Sequence, residues 1–292
     1  MGCQTSQNNT NEGRCRFDIS VITKAILLPE GTEYTGSDID TFLLEKIHAA
    51  EPDKRAYPMP KFTGITDNST EPVTAQNGYG QTETLMPGTV AFTQNYAKNH
   101  CLSNRLEAFN DGVTRDMLLI DMSGHVWGCE GKNGGIKGFA VKVYSMGAGI
   151  PTADAVVEPT ISYNLQNPAE WTSKKVMSTD LSVSDLDGLE DIEIVTSTSG
   201  SDTILKMVTV CDGTDVTEEL AALDASSTAF LQVSSAGTKS ALTGVTYNAT
   251  TKTFKVATAS LSSAAGVTLA DPSVLFTAGV MYKCCDAVTA LS

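Results

Sequence analysis

Met117-Leu118-Leu119-Ile120-Asp121-Met122-Ser123-Gly124-His125-Val126-Trp127-Gly128 is the stretch on which the fold turns. Two short apolar runs flank Ser123-Gly124, and runs of this length around a Ser-Gly pair predict a β-hairpin rather than a helix. Working outward, Asn133-Gly134-Gly135 is a further turn, and Ile136 to Tyr144 is expected as one strand with partial alternation. Upstream, Phe17 to Leu28 reads as a strand ended by Pro29. Ser37-Asp38-Ile39-Asp40 resembles a helix start with Ser37 as N-cap, and Ile39, Phe42, Leu43 and Ile47 recur at helical spacing. A short amphipathic helix over Asp38–Ala50 follows, ended by Glu51-Pro52, and Leu102, Leu106 and Phe109 mark a second.

Between these helices, Asn77-Gly78-Tyr79-Gly80 is a turn signal. Gln81–Leu85 and Thr89–Thr93 are expected to pair as a hairpin around Met86-Pro87-Gly88. This part of the chain is therefore α+β, mostly strands joined by tight turns.

The composition changes near residue 180. All five arginines, both tryptophans and all three histidines lie before it. Residues 181–292 are rich in Ser, Thr and Ala, with candidate strands at Leu189–Thr196, Thr203–Cys211, Thr228–Val233, Leu242–Tyr247, Thr253–Thr258 and Val274–Lys283. Tyr247 and Phe254 flank a hairpin turn, and Asp212-Gly213 is another turn. Short strands at this density over ~100 residues indicate an immunoglobulin-like β-sandwich, here without the Cys–Trp–Cys pattern of antibody domains. The expected organisation is a polar arm over 1–14, a hairpin-rich domain over 15–176, a boundary within 172–182, and a sandwich over 181–292.

The 292 residues carry 20 Lys+Arg against 34 Asp+Glu, a formal charge of −14. Residues 181–292 hold five lysines and thirteen acids, a net of −8, which leaves −6 for the first part. Tight nucleic-acid binding needs clustered cations, so this balance argues against it. The longest apolar run, Ala25-Ile26-Leu27-Leu28, is far short of the ~18 residues a membrane span requires. The polar N-terminus lacks the charged and apolar regions of a signal peptide, so folding in the cytosol without a membrane anchor is expected. Gly2-Cys3-Gln4-Thr5-Ser6 matches a lipidation pattern formally, but a polar arm is the simpler reading.

No motif carries catalysis. Gly128 to Gly135 lacks phosphate-loop spacing, and Gly147-Ala148-Gly149 is followed by Pro151 where a dinucleotide loop needs a helix. His100, Cys101, His125 and Cys129 match no compact zinc finger, and the acidic turns Asp185–Gly188 and Asp212–Asp215 read as solvated loops before calcium sites. The seven cysteines, odd in number and irregularly spaced, do not form a disulfide framework, and Cys284-Cys285 is expected to place one thiol inside and one outside. No enzyme activity, cofactor or metal is expected.

The stretches Leu43-Leu44-Glu45-Lys46-Ile47 through Arg55-Ala56-Tyr57-Pro58-Met59-Pro60, Tyr79-Gly80-Gln81-Thr82, and Ile120 to Gly128 resemble the major tail tube proteins of long-tailed bacteriophages, in particular those infecting Bacteroidetes. The resemblance covers roughly residues 14–175, and the appended sandwich matches the C-terminal decoration such proteins often carry. It implies a mainly β fold with a tail-tube-like β-barrel or sandwich domain. It also implies subunits that close into rings, usually sixfold, and stack. The partners implied are other copies of the chain, other tail proteins, and DNA that passes without specific binding. The place implied is the virion tail, after assembly in the host cytoplasm. The residues expected to serve assembly are Asn77, Gly78, Tyr79, Gly80, Pro87 and Gly88. The rival readings are a capsid-decoration or head-fibre protein, and a carbohydrate-binding or adhesion module using Trp127 or Trp171 as a platform.

Overall fold

The structure is a computed structural model that describes residues 20–97, 99–147, 158–226, 228–261, 264–284 and 289–290. The polar arm over 1–14 and the first residues of the strand expected from Phe17 lie outside the described residues. The chain divides into two compact units between Asp187 and Gly188, with His48–Ala50 grouped with the second.

The first unit is organised by the strand at the centre of the quoted stretch. Its elements are β1 (Ile22–Pro29), β2 (Glu33–Tyr34), α1 (Ile39–Ile47), β3 (Tyr57–Pro58), β4 (Gly64–Asp67), β5 (Val73–Gln76), β6 (Thr82–Met86), β7 (Ala91–Asn95), α2 (His100–Glu107), β8 (Thr114–Asp121), β9 (His125–Glu130), β10 (Ile136–Lys137), β11 (Phe139–Met146), β12 (Thr160–Leu165) and β13 (Lys174–Ser178). Strand β8 pairs with β1 along one flank, from Arg115↔Pro29 to Asp121↔Ile22. Along its other flank it pairs first with β11 and then, at Leu119↔Trp127 and Ile120↔Val126, with β9. The expected hairpin is therefore present. Both β1 and β8 are buried on both faces, as their unbroken apolar runs demand. Ala25, Leu27, Met117 and Leu119 enter one core with Trp127, Phe139, Val141, Ile161, Tyr163 and Val176. Their neighbours Ile26, Leu28, Leu118 and Ile120 point the opposite way and are buried as well.

Ile136 to Tyr144 is not one strand but two. Strand β10 pairs with β9 and β2, whereas β11 pairs with β8 and β12. The break is at Gly138, where a Cβ would stand 2.7 Å from the carbonyl carbon of Asp116 and from the amide nitrogen of Met117. The backbone passes over β8 there with no room for a side chain. The connected order is β2-β10-β9-β8-β11-β12-β7-β4, with β9 and β11 sharing one flank of β8, β1 on its other flank and β13 beside β9.

Two local expectations shift. The cap of α1 is Asp38, not Ser37, because the Asp38 carboxylate accepts from the Thr41 N–H (3.1 Å) and hydroxyl (2.7 Å). The segment 172–182, expected as the boundary, belongs to the first unit: Lys174–Ser178 is a strand on β9. Beyond it, the ammonium of buried Lys24 donates to the Val183 carbonyl (2.8 Å) and pairs with Asp187. Burial pushes the Lys24 pKa down against that pairing.

Buried acids brace the sheet. Asp121 accepts from the N–H groups of Ser123 (2.8 Å) and His125 (3.0 Å) and from the Trp127 indole (2.8 Å). Burial pushes its carboxyl upward, but these bonds outweigh it and hold the pKa below the ordinary value. Asp116 is 0% exposed; it accepts from the Gly31 N–H (2.7 Å) and lies 3.4 Å from the Lys137 ammonium, which also pairs with Glu170 (3.2 Å). Here burial wins and the carboxyl is pushed up to about 6, despite Lys137.

The second unit contains β14 (Glu190–Ser199), β15 (Asp202–Thr209), β16 (Phe230–Val233), β17 (Lys239–Ala241), β18 (Thr246–Asn248), β19 (Thr253–Ala257), β20 (Gly266–Leu269), α3 (Pro272–Phe276), β21 (Tyr282–Cys284) and β22 (Thr289–Ala290). One sheet has the order β18-β19-β15-β14-β21 and the other β17-β16-β20-β22. With strands lettered A onward from β14, these are a D-E-B-A sheet, with β21 added in parallel beside A, and a C′-C-F-G sheet, the arrangement of an immunoglobulin-like sandwich. Alternation along β15 sends Leu205 and Met207 into a core shared with Ile192, Ile194, Phe230, Phe254 and Leu269. Tyr247 pairs with Phe254 across the expected hairpin, ring centroids 5.1 Å apart. The strand expected over Val274–Lys283 is replaced by α3 and β21, because Asp271-Pro272 starts a helix with proline at its first position. Leu242–Tyr247 is broken at Gly244, whose φ is +78°, so only Thr246 onward is strand. Strand β20, Gly266-Val267-Thr268-Leu269, has too short an apolar run to stand out in the sequence. The fold class is mainly β throughout.

Two expectations follow. Asp116 binds its proton more tightly folded than unfolded, so its contribution to stability rises as pH falls from 7 towards 4. The gap from the ordinary carboxylate value near ~3.9 corresponds to on the order of 3 kcal/mol across that window. Asp116→Asn should flatten the dependence of melting temperature on pH between 5 and 8; an unchanged slope would remove Asp116 as its source. Gly138→Ala should cost about 2–3 kcal/mol in denaturant unfolding, since the methyl meets backbone on β8 rather than a movable side chain.

Candidate assembly arm

Strands β4 to β7 form a single long hairpin. At its base Gly64↔Asn95 through Asp67↔Phe92 continue the sheet, since β7 also pairs with β12. The same register carries on through Thr70↔Thr89 to Val73↔Met86. It then shifts by one residue at Leu85 and ends at Gln76↔Thr82. Ten or so residues per strand at roughly 3.3 Å each make an arm of about 30 Å.

The apex is built by its own sequence. The Asn77 N–H donates to the Gln81 carbonyl (2.8 Å) and the Gly80 N–H to the Asn77 carbonyl (2.9 Å). Gly80 takes φ +76°, the left-handed position that closes a three-residue hairpin loop. The Asn77 side chain accepts from the N–H of Tyr79 (3.1 Å) and Gln81 (3.0 Å) and donates to Glu83 (3.1 Å). Tyr79 stands at the tip, 95% exposed.

The turn expected at Met86-Pro87-Gly88 does not form; the turn is at Asn77–Gly80, and Pro87-Gly88 lie midway down the returning strand. Gly88 sits where a Cβ would come 2.5 Å from the Thr70 carbonyl oxygen. The Thr70 and Thr89 hydroxyls bond beside it (2.7 Å), and their backbones bond reciprocally (3.0 and 3.1 Å). Of the six residues singled out, Asn77, Gly78, Tyr79 and Gly80 come together at the apex. Pro87 and Gly88 are about 20 Å away by strand length.

Among the described residues no layer supports the arm. Residues 65–76 and 78–87 are exposed on both strands and both faces. Val73, Leu85 and Met86 are among the exposed large apolar side chains, Leu85 and Met86 each at 63%. Between Lys61 and Lys98 there is no cation, whereas Asp67, Glu71 and Glu83 are acidic. Two-stranded ribbons are marginal in water alone. The apolar residues are a signal that turn-based reading passed over: Val73, Leu85 and Met86 sit in no periodic stripe, because no core faces them.

Other sequence candidates resolve into structure. Trp127 is a core anchor, 4% exposed, with its indole on Asp121. Trp171 lies against Phe139 (5.1 Å), with the Lys174 ammonium 4.4 Å from its ring centroid. Cys129 is buried, its thiol directed at the Gly138 carbonyl and its pKa pushed up to about 11 by burial. Cys101 and Cys211 are each in a disulfide, contrary to the expectation of unbridged thiols, while Cys284 is free and Cys285 lies outside the described residues. Asp185 accepts from the Ser182 N–H and hydroxyl, Asp187 pairs with Lys24, and Asp212 accepts from Thr209 and Thr214. Among the described residues no group of three or more His, Cys, Asp or Glu side chains can hold a metal, and no helix is long and apolar enough to cross a membrane. The Gly131–Gly135 turn repeats the arm's apex: the Gly131 N–H bonds the Gly135 carbonyl, and Gly134 takes φ +75°. Gly147 ends the described part of the Gly-Ala-Gly run.

No protein-family model, curated protein or solved structure matches this chain.

Gly80→Ala should cost about 1–2 kcal/mol locally through its positive φ. Amide exchange over 73–86 should quicken while the global melting temperature stays within about 2 °C; a matching global loss would show that the arm is part of a core.

Proposed function

We propose that the chain is a structural subunit that assembles with copies of itself through the 64–95 arm, as the resemblance to phage tail tube proteins implies. In that reading the subunits form stacked rings around a channel that conducts DNA, within a virion tail and beside other tail proteins. The observation that carries it is the arm: a two-stranded ribbon with exposed Tyr79, Val73, Leu85 and Met86, and no layer beneath it among the described residues. Natural proteins avoid long exposed edges unless an edge is used, because unpaired N–H and C=O groups recruit other chains. The charge of −14 supports a channel that repels phosphate instead of holding it.

The carbohydrate reading loses its platforms, since Trp127 is buried and Trp171 is engaged by Phe139 and Lys174. No comparable observation favours a capsid-decoration role.

Replacing Pro72–Pro87 with an Asn-Gly turn should leave the melting temperature within a few degrees and abolish assembly, read by negative-stain microscopy and light scattering at rising concentration. Wild-type protein that stays monomeric throughout, or rings that persist in the shortened variant, would refute the proposal.

A further inference from the structure

The arm accounts for one side of an interface and leaves its receptor open. The strand order of the first unit runs from β2 to β4, which carries the arm, and β13 branches from it beside β9; among the described residues β4 and β13 do not pair with each other. Strand β13 pairs only with β9 among the described strands, so the backbone groups along its other edge have no strand partner. It is five residues long, against two or three for the outer strands of the second unit, β17, β18, β21 and β22. It contains no proline and no bulge, two of the devices that commonly blunt an edge.

Strand β6 of the arm is also five residues long, and its outer edge is equally unpaired among the described strands. The side chains fit as well. In β6 an acid and an apolar residue stand two apart, Glu83 and Leu85; in β13 a base and an apolar residue stand two apart, Lys175 and Met177. Leu85 is the extra residue at the register shift of the arm, so the match rests on charge: Glu83 can stand beside Lys175, with Leu85 and Met177 as the apolar side chains nearby. Glu33, the carboxylate whose charge Lys175 acts on, is held by the N–H groups of Asn133 and Gly135, and the Lys175 ammonium, which donates to the Gly134 carbonyl, has further N–H groups to give.

We infer that the receptor of the arm is the β13 edge, Lys174–Ser178, of a second copy of this chain. The pairing is heterologous, joining the arm of one copy to the β13 branch of the next, and such contacts propagate into closed rings or filaments. Lys174 and Lys175 then act selectively: they discourage neutral or basic strands at this edge and admit an acidic one.

The inference rests on the proposed self-assembly, and its test separates the two. A photoreactive benzoylphenylalanine in place of Leu85, in a mixture of isotopically heavy and light full-length chains, should cross-link to Lys174–Ser178 of the other copy. Glu83→Lys and Lys175→Glu should each raise the concentration needed for assembly by about tenfold or more, with unchanged monomer melting, and the double variant should restore it. Cross-links to another surface of the second copy, without rescue, would overturn β13 as receptor and leave assembly through the arm standing. Absence of inter-copy cross-links, with assembly indifferent to Glu83→Lys, would overturn both.

Discussion

The first unit depends on a strand with no face to spare. Met117, Leu118, Leu119 and Ile120 are apolar in succession, so either face of β8 exposed to water would forfeit about 2 kcal/mol for each large side chain. A strand buried on both faces must also satisfy every N–H and C=O along both flanks, because water cannot reach them. Strand β1, equally apolar, covers one flank. The other flank is shared by β11 and β9, and that sharing is possible only because Gly138 lets the chain cross over β8 without a side chain.

The polar groups inside this arrangement follow from the same constraint. Asp121 ends β8 and would be costly as a buried carboxylate, but the hairpin turn wraps its N–H groups around it and Trp127 adds an indole N–H. One residue thereby terminates the strand, sets the turn and aims the largest aromatic into the core. Asp116 is less well compensated, with one backbone donor and a lysine at 3.4 Å, and its carboxyl is correspondingly poised near neutrality. Asp116 lies deeper and has fewer donors than Asp121, and the two differences together send their pKa values in opposite directions.

The arm obeys the opposite constraint. Its residues satisfy one flank of each strand by pairing with each other, and the ordered apex at Asn77 keeps that pairing in register. Its faces and outer edges have no partner within the described chain. It is well specified as a hairpin, and among the described residues it carries no second layer.

The sequence by itself determined what depends on neighbours a few residues apart: the β8–β9 hairpin around Ser123-Gly124, the two amphipathic helices, the Asn77–Gly80 turn, and the alternation of Leu205 and Met207 that marks a sandwich strand. It misplaced Pro87-Gly88 as a turn, because a Pro-Gly pair has the same local signature in a turn as at a close approach between strands. Only the tertiary structure decided that Gly88 lies against the Thr70 carbonyl, that Gly138 divides one apparent strand into two, and that Lys24 holds Val183 and Asp187 within the first unit. Each of these joins residues far apart in the chain, and their placement is set by which backbone groups must find partners and by how much room is left between strands. Local propensity carries neither piece of information.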